Sequence, residues 1–451
     1  ARLSNDLENV ARTMTSEPQA LVIGIGDNYL WYSGTSDSTS TTTPIGNIEY
    51  GLNPSGNIWA RMATLGIPGV AVGLIENTAS GPAVTAARGY GLRRSDGDLP
   101  ILARTPFALA SLSKYLGGLV LADHVETDPT VDQTTDLLTA NLIPTTGSFH
   151  TWRTTGENPN STFRQSLATL QGATPRATFS NGINLDRLLV HTAGFVSEKN
   201  GSSMVDSRQW AATNSLQTSN WLFGRECGAT CTLFANSVWQ VAASPAAADY
   251  DSANYLVAQA YLEDRTGETI HDWLSLRIFN PIGMPDTSSR IALTATQQAE
   301  VAWRHSGSVP QQFMLNSAWP LAGGIWSSAQ DYANAMIVAL NVGKAANGTS
   351  ILTSSTNRNR ILRSPTGSGV SSGWGVAYEL GATSVDEGTN RSFWHNGANA
   401  GARAHMCGNP TTNQGIVIMV NSDAAGASTL ISEILAAYMA RMSWAAGLDC
   451  T

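Results

Sequence analysis

Extended, apolar segments occur at two places far apart in this chain, with mostly helix-type patterning between them. Val70–Glu76 and Ala83–Tyr90 are rich in β-formers and divided by turn residues, which predicts a hairpin. The next strand signals come late, at Trp374–Leu380, Ser392–His395, Ala402–Cys407 and Gly415–Val420. From Ser111 to about residue 340 the pattern is mostly helical, and Ser428–Trp444 carries apolar residues at helical spacing. Strand backbone must find partners, so the two ends of the main body are expected to meet in one sheet. This predicts an α+β fold: a sheet domain from residues 51–110 and 366–451, and a large, mostly helical domain from 111–365. Residues 1–50 read as an N-terminal extension, with strand character over Ala20–Ser33 and a Ser/Thr-rich loop over Ser33–Pro44. Ile58–Leu65 is predicted to be a helix that breaks at Gly66-Ile67-Pro68-Gly69.

Composition narrows the function classes. Only 13% of the 451 residues are charged, the formal net charge is −8, and just three of the 26 basic residues are lysines: Lys114, Lys199 and Lys344. A net negative chain without a basic cluster is a poor partner for nucleic acid or an anionic membrane surface. No apolar run approaches the roughly 18 residues that would span a bilayer, and 42% hydrophobic content is too high for a disordered chain. The chain begins Ala1-Arg2-Leu3, without Met or an apolar leader core, and with its polar, uncharged surface this suggests an exported protein, secreted or periplasmic. Cys227, Cys231, Cys407 and Cys450 allow three disulfide pairings or four free thiols. Cys227 with Cys231 would close a tight loop, and Cys407 with Cys450 would tie the C-terminal end to an interior strand. No metal site is expected, because the cysteines lack neighbouring histidines in a ligand pattern, and no cofactor is implied.

Three short motifs carry chemistry. In Ser111-Leu112-Ser113-Lys114, a helix starting at Ser111 places Lys114 one turn on and on the same face, so its amine can act on the serine hydroxyl. The N–H groups of such a helix start suit an oxyanion. Tyr250-Asp251-Ser252-Ala253-Asn254-Tyr255 puts a tyrosine just before an apolar-periodic helix, where its phenol can share a proton with Lys114. His395-Asn396-Gly397-Ala398 lies on a late strand, where glycine lets a substrate lie along the strand edge and the Ala398 N–H can complete an oxyanion hole. Each motif alone also suits a bland role: a capped helix, a packed tyrosine, a turn.

In order and spacing these motifs resemble the serine β-lactamase-like superfamily, which includes class C β-lactamases, D-peptidases and D-amidases, and family VIII carboxylesterases. Further landmarks are similar: Ile67-Pro68-Gly69-Val70-Ala71-Val72, Gly89-Tyr90-Gly91, Leu188-Leu189-Val190-His191-Thr192-Ala193-Gly194, Pro281-Ile282-Gly283-Met284-Pro285-Asp286-Thr287-Ser288 and Ala322-Gly323-Gly324. The resemblance covers about residues 55–445, with insertions around 140–180 and 200–245. It implies an antiparallel sheet flanked by helices, of β-lactamase/transpeptidase type. It also implies Ser111 as nucleophile, Lys114 and Tyr250 as base pair, and the Ser111 and Ala398 amides as oxyanion hole. His395, Asn396, Gly397 and Ser252 fall at substrate-binding positions.

Two departures shape the expected activity. The family's Tyr-x-Asn reads Tyr250-Asp251-Ser252, and its Lys-Thr-Gly reads His395-Asn396-Gly397, which exchanges a fixed cation for a titratable imidazole. Both point away from β-lactam hydrolysis, towards an ester, amide or short peptide substrate cleaved by a carboxylesterase or a D-amino-acid peptidase or amidase. Arg403 is a candidate cation for a peptide carboxylate. A penicillin-binding or sensing module that acylates and turns over slowly, or a weak β-lactamase, is the alternative. Gly369-Val370-Ser371-Ser372-Gly373 spells a nucleophile elbow but lacks the strand-to-helix context. His191 is expected to be a structural hydrogen-bonder at a turn, and Trp210, Trp221 and Trp239 to pack rather than bind carbohydrate.

Overall fold

The strands from the two ends do meet. The structure, a computed structural model, describes residues 43–138, 181–196, 250–285, 299–311, 320–354 and 392–444 with few gaps, plus isolated strands and single positions elsewhere. Its main sheet comprises β1 (Gly69–Thr78), β2 (Gly81–Gly91), β3 (Trp374–Gly375), β4 (Tyr378–Leu380), β5 (Phe393–Asn399), β6 (Ala402–Asn409) and β7 (Gln414–Val420). The order across the sheet is β3-β4-β5-β6-β7-β1-β2, with every neighbouring pair antiparallel. The β7–β1 pairing, with Val417 opposite Gly73, joins the two ends of the chain.

Alternate residues of each strand serve two cores. Val70, Val72, Leu74, Cys407, Ile416, Ile418 and Val420 point into a rear layer. Ala71, Ile75, Ala404, Met406, Val417 and Met419 point to the front. Both faces are covered, which is why these strands read as continuous apolar runs rather than as an alternation.

Among the described residues, six helices of seven or more residues flank the sheet: α1 (Pro44–Tyr50), α2 (Ile58–Leu65), α3 (Ser113–Thr127), α4 (Ala253–Thr266), α5 (Ala329–Leu340) and α6 (Ala425–Arg441). α1, α2 and α6 form the rear layer. α3, α4 and α5 contribute to the front core. α1 begins with Thr43 capping Gly46 N–H and buries Ile48. Its Glu49 accepts a 3.0 Å hydrogen bond from Tyr90 Oη on β2, and Asn47 donates to the Ala437 carbonyl of α6. α1, within the segment read from the sequence as an extension, thus contacts both β2 and α6. In the remainder of that segment, Leu21–Gly24 and Leu30–Ser33 pair with one another.

Cys407 is bonded to Cys450, with 5.8 Å between Cα atoms, so that pairing tethers the C-terminal end to β6. Cys227 and Cys231 lie outside the described residues, as do Trp210, Trp221 and the Gly369–Gly373 segment. Trp239 falls on a short strand paired with Phe195–Val196. Among the described residues no helix is long and apolar enough to cross a membrane.

Candidate active site

Ser111 stands where the sheet body meets the helical body. It sits on a 3-10 turn, Ala110–Leu112, and regular helix begins only at Ser113, two residues later than the sequence suggests. Ala110, just before the serine, adopts φ 48°, a left-handed backbone that costs a non-glycine residue energy and that its surroundings must hold. Those surroundings are explicit. Leu109 N–H donates to the Ile325 carbonyl at 3.0 Å, Ile325 N–H donates to Ser113 Oγ at 3.2 Å, and Tyr332 Oη donates to the Leu112 carbonyl at 2.8 Å.

Lys114 follows one turn along. It is fully buried, and its Nζ lies 3.1 Å from Ser111 Oγ and donates a 2.6 Å hydrogen bond to the Ala322 carbonyl. The Ala322-Gly323-Gly324 landmark thus supplies an acceptor that aims the amine. α3 can approach this segment because residue 117 is glycine: a Cβ there would lie 3.2 Å from Leu321 Cβ and 3.3 Å from its carbonyl oxygen. Tyr250 precedes α4 and is 44% exposed, at the mouth of the site. Its ring centroid is 5.0 Å from Lys114 Nζ, 4.5 Å from the His191 ring and 5.9 Å from the His395 ring. The tyrosine is therefore bracketed by two imidazoles and an amine.

Both imidazoles are kept neutral. Burial, reinforced by the positive charge of Lys114, pushes His395 down to about 3 and His191 well below the usual histidine range. His395 Nδ1 donates to the Asn396 carbonyl at 2.6 Å, so Nε2 carries the lone pair. His191, with φ 59°, has Nδ1 against the Asp251 backbone, 3.0 Å from its carbonyl oxygen and 3.2 Å from its nitrogen. Sequence reading made His191 a structural hydrogen-bonder at a turn rather than a catalyst. The structure places it against Tyr250, and the only sequence signal for that was its landmark motif.

Strand alternation sorts the remaining candidates. Phe393, His395 and Gly397 share the front face, with Met406 and Ala404 opposite the last two. A Cβ at Gly397 would collide with the Leu109 carbonyl oxygen and lie 3.0 Å from Leu112 Cδ1. That glycine therefore lets β5 pack on the turn carrying Ser111, a more direct demand than the substrate contact expected of it. β4 pairs with β5 at Phe393 and Trp394, and among the described strands no pairing on that side extends to His395–Asn399. Ala398, whose amide the sequence nominates for the oxyanion hole, lies on this part of β5.

Two candidates need correction. Asn396 points to the rear, where its Oδ1 accepts a 2.5 Å hydrogen bond from His405 Nδ1, so its side chain is not on the Ser111 side of the sheet. Arg403 pairs with Ala398 and shares that rear face, so it is no cation for a carboxylate beside His395. Ser252 occupies the N-cap position of α4 but makes no capping hydrogen bond there. Asp251 instead accepts Ala253 N–H at 2.7 Å. Asn254, which the sequence reading passed over, is buried and donates to the Asp251 carbonyl at 3.3 Å, behind the tyrosine. Among the described residues no cluster of three or more His, Cys, Asp or Glu side chains is placed to hold a metal ion.

Comparison with known proteins then decides the family. The family model described as Beta-lactamase matches residues 56–438. The chain belongs to the Beta-lactamase family. No curated protein sequence matches it. Solved structures similar to this family member include the octameric penicillin-binding protein homologue from Pyrococcus abyssi, at 15% identity and TM-score 0.57, covering 84% of this chain and 75% of that one. A class C β-lactamase from Rhodobacter sphaeroides is similar at 14% identity and TM-score 0.54, covering 85% and 97%. A β-lactamase/D-alanine carboxypeptidase from Yersinia pestis is similar at 14% identity and TM-score 0.52, covering 84% and 95%. At these identities the likeness is one of fold, and it agrees with the superfamily and the α+β architecture expected from the motifs.

Proposed function

We propose that this family member is an exported serine hydrolase that cleaves small esters or uncharged amides through an acyl-enzyme on Ser111. The observation that carries the proposal is the fully buried Lys114 amine, 3.1 Å from Ser111 Oγ. The Ala322 carbonyl holds Nζ in place beside the hydroxyl, and Lys114 is assigned to take the hydroxyl proton as Oγ attacks the substrate carbonyl. The Ser111 and Ala398 amides are assigned to the developing oxyanion, and Tyr250 to relaying the proton from Lys114 to the departing alcohol or amine. Water, deprotonated by the same pair, then attacks the acyl carbon, and the carboxylic acid leaves with Ser111 restored.

Substrate charge is inferred from the two candidate cations among the described residues. His395 is held neutral and Arg403 is on the rear face, so neither offers the fixed cation that would select a free C-terminal carboxylate. This favours an esterase, or an amidase or aminopeptidase for uncharged carbonyl groups, over a carboxypeptidase. The Cys407–Cys450 disulfide supports an oxidising compartment, hence export. The test is a substrate panel. Short p-nitrophenyl esters or D-amino-acid amides are expected to turn over at least tenfold faster, by kcat/KM, than D-alanyl-D-alanine peptides or a chromogenic cephalosporin. Preference for the carboxylate-bearing peptides would overturn the substrate assignment, and a β-lactam adduct that persists without turnover would favour a binding module.

A further inference from the structure

Tyr250 must present its phenol to Lys114 to carry the relay assigned to it, yet it is 44% exposed, so burial alone does not hold it. A contact from 60 residues away reaches the next residue along. His191 Nδ1 lies 3.0 Å from the Asp251 carbonyl oxygen and 3.2 Å from the Asp251 nitrogen. One neutral tautomer donates to the carbonyl and the other accepts the N–H, so either ties down the residue after Tyr250. Asn254 Nδ2, in the first turn of α4, donates to the same carbonyl at 3.3 Å. The imidazole centroid is also 4.5 Å from the Tyr250 ring and 5.5 Å from the Tyr255 ring. Lys114 Nζ lies 5.0 Å and 5.4 Å from the same two rings. His191 and Lys114 therefore face the same pair of tyrosines.

The imidazole stands on a firm base. His191 is 2% exposed and follows the short helix Leu185–Leu189, whose Leu188 and Leu189 are buried in the front core. His191 N–H donates to the Leu188 carbonyl at 3.3 Å, and Thr192 N–H to the Arg187 carbonyl at 2.8 Å, which closes the turn. Tyr255 Oη donates to the Leu189 carbonyl at 3.2 Å, so the second tyrosine is tied to the same helix. The φ of 59° at His191 is a left-handed backbone that most side chains resist. A turn that needs only this backbone is best served by glycine. A buried side chain here, bonded to the segment that carries Tyr250, meets a further demand.

We infer that His191 is a positioning residue for the hydrolysis proposed above: it holds the Asp251 backbone and so keeps the Tyr250 phenol in line with Lys114 and Ser111. It acts through Tyr250, not on Ser111 itself. The inference rests on the relay role given to Tyr250, in which a misplacement of about 1 Å can cost about 10²-fold in rate.

The test is a pair of substitutions that both suit the left-handed backbone. His191→Gly removes the side chain, and His191→Asn returns an amide able to bond the Asp251 backbone. With a short p-nitrophenyl ester, His191→Gly is expected to lower kcat about 10²-fold while KM changes less than about threefold. His191→Asn is expected to recover at least about tenfold of that loss. In a Tyr250→Phe background, His191→Gly is expected to cost less than about twofold more, because the phenol it positions is already gone. Thermal midpoints show which variants are folded. His191→Phe, which refills the space without a ring nitrogen, replaces the glycine variant if that one is unfolded. An unchanged kcat in the folded variant, equal losses in the glycine and asparagine variants, or a full loss on top of Tyr250→Phe would each overturn the inference alone. Absence of both ester turnover and a fluorophosphonate adduct on Ser111 in the unmutated chain would overturn the hydrolase reading, and the inference with it.

Discussion

Lys114 is where a sequence rarity and a structural demand coincide. The chain uses arginine almost everywhere, yet keeps lysine at the position whose amine is buried against Ser111 Oγ. A guanidinium cannot take the proton, and in a fully buried slot it is also too large. Lys114→Met keeps much of the apolar stem, and is expected to fold and to lower kcat/KM by about 10²–10⁴, the usual worth of a general base. Steady-state kinetics with a short ester, alongside the thermal midpoint, checks this. Tyr250→Phe preserves the ring between His191 and His395, so it is expected to lower kcat by a similar factor of about 10²–10⁴ with little change in stability. These residues were legible because Ser-x-x-Lys spacing fixes geometry within one helical turn. Asn396 and Arg403 were misplaced because assigning them to a face needs the strand's register against the serine, which no local pattern supplies. The contact of His191 with Tyr250 spans 59 residues, beyond the reach of any local pattern.

At the scale of elements, the site is a matter of how closely β5 and the 3-10 turn can approach. Most of the strand and helix positions were readable from periodicity. β1 and β2 run one or two residues past the predicted ends, and α2 spans Ile58–Leu65 as expected. What periodicity cannot show is packing between elements: the helix start shifted to Ser113, and α1 docked against α6 rather than trailing in an extension. Gly397→Ala tests the approach directly. Its methyl group meets the Leu109 carbonyl, so a loss of about 1–3 kcal/mol of stability is expected from overpacking, together with a fall in kcat as β5 is displaced from Ser111. Denaturant unfolding and ester kinetics on the same preparation read both. A variant unchanged in both would show that this contact does not set the site.

The whole molecule carries buried histidines that make it acid-sensitive. Burial holds His124 and His405 down to about 4 and His395 to about 3, against an ordinary value of 6.5. Folded pKa values below the unfolded ones mean that the unfolded chain binds the extra protons, so stability is present above pH 6.5 and is lost as pH falls from there towards 4. At about 1.4 kcal/mol per unit, the three together rival the roughly 5–15 kcal/mol of a typical fold. The thermal midpoint is expected to drop steeply between pH 6.5 and 4. His124 sits between Tyr261 and Trp273 with neither ring nitrogen hydrogen-bonded among the described residues, and His124→Phe is expected to flatten that drop. The Cys407–Cys450 bond closes a loop of sequence separation 43, worth about 4 kcal/mol in the chain-entropy account, so reductant is expected to lower the midpoint further. All of this frames one claim, that a buried amine activates Ser111. Intact-mass analysis after incubation with a fluorophosphonate tests it most directly. A single adduct mapping to Ser111, absent from Ser111→Ala and slowed at least a hundredfold in Lys114→Met, is the expected result. An adduct on another residue, or labelling of Ser111 at an unchanged rate in Lys114→Met, would contradict it.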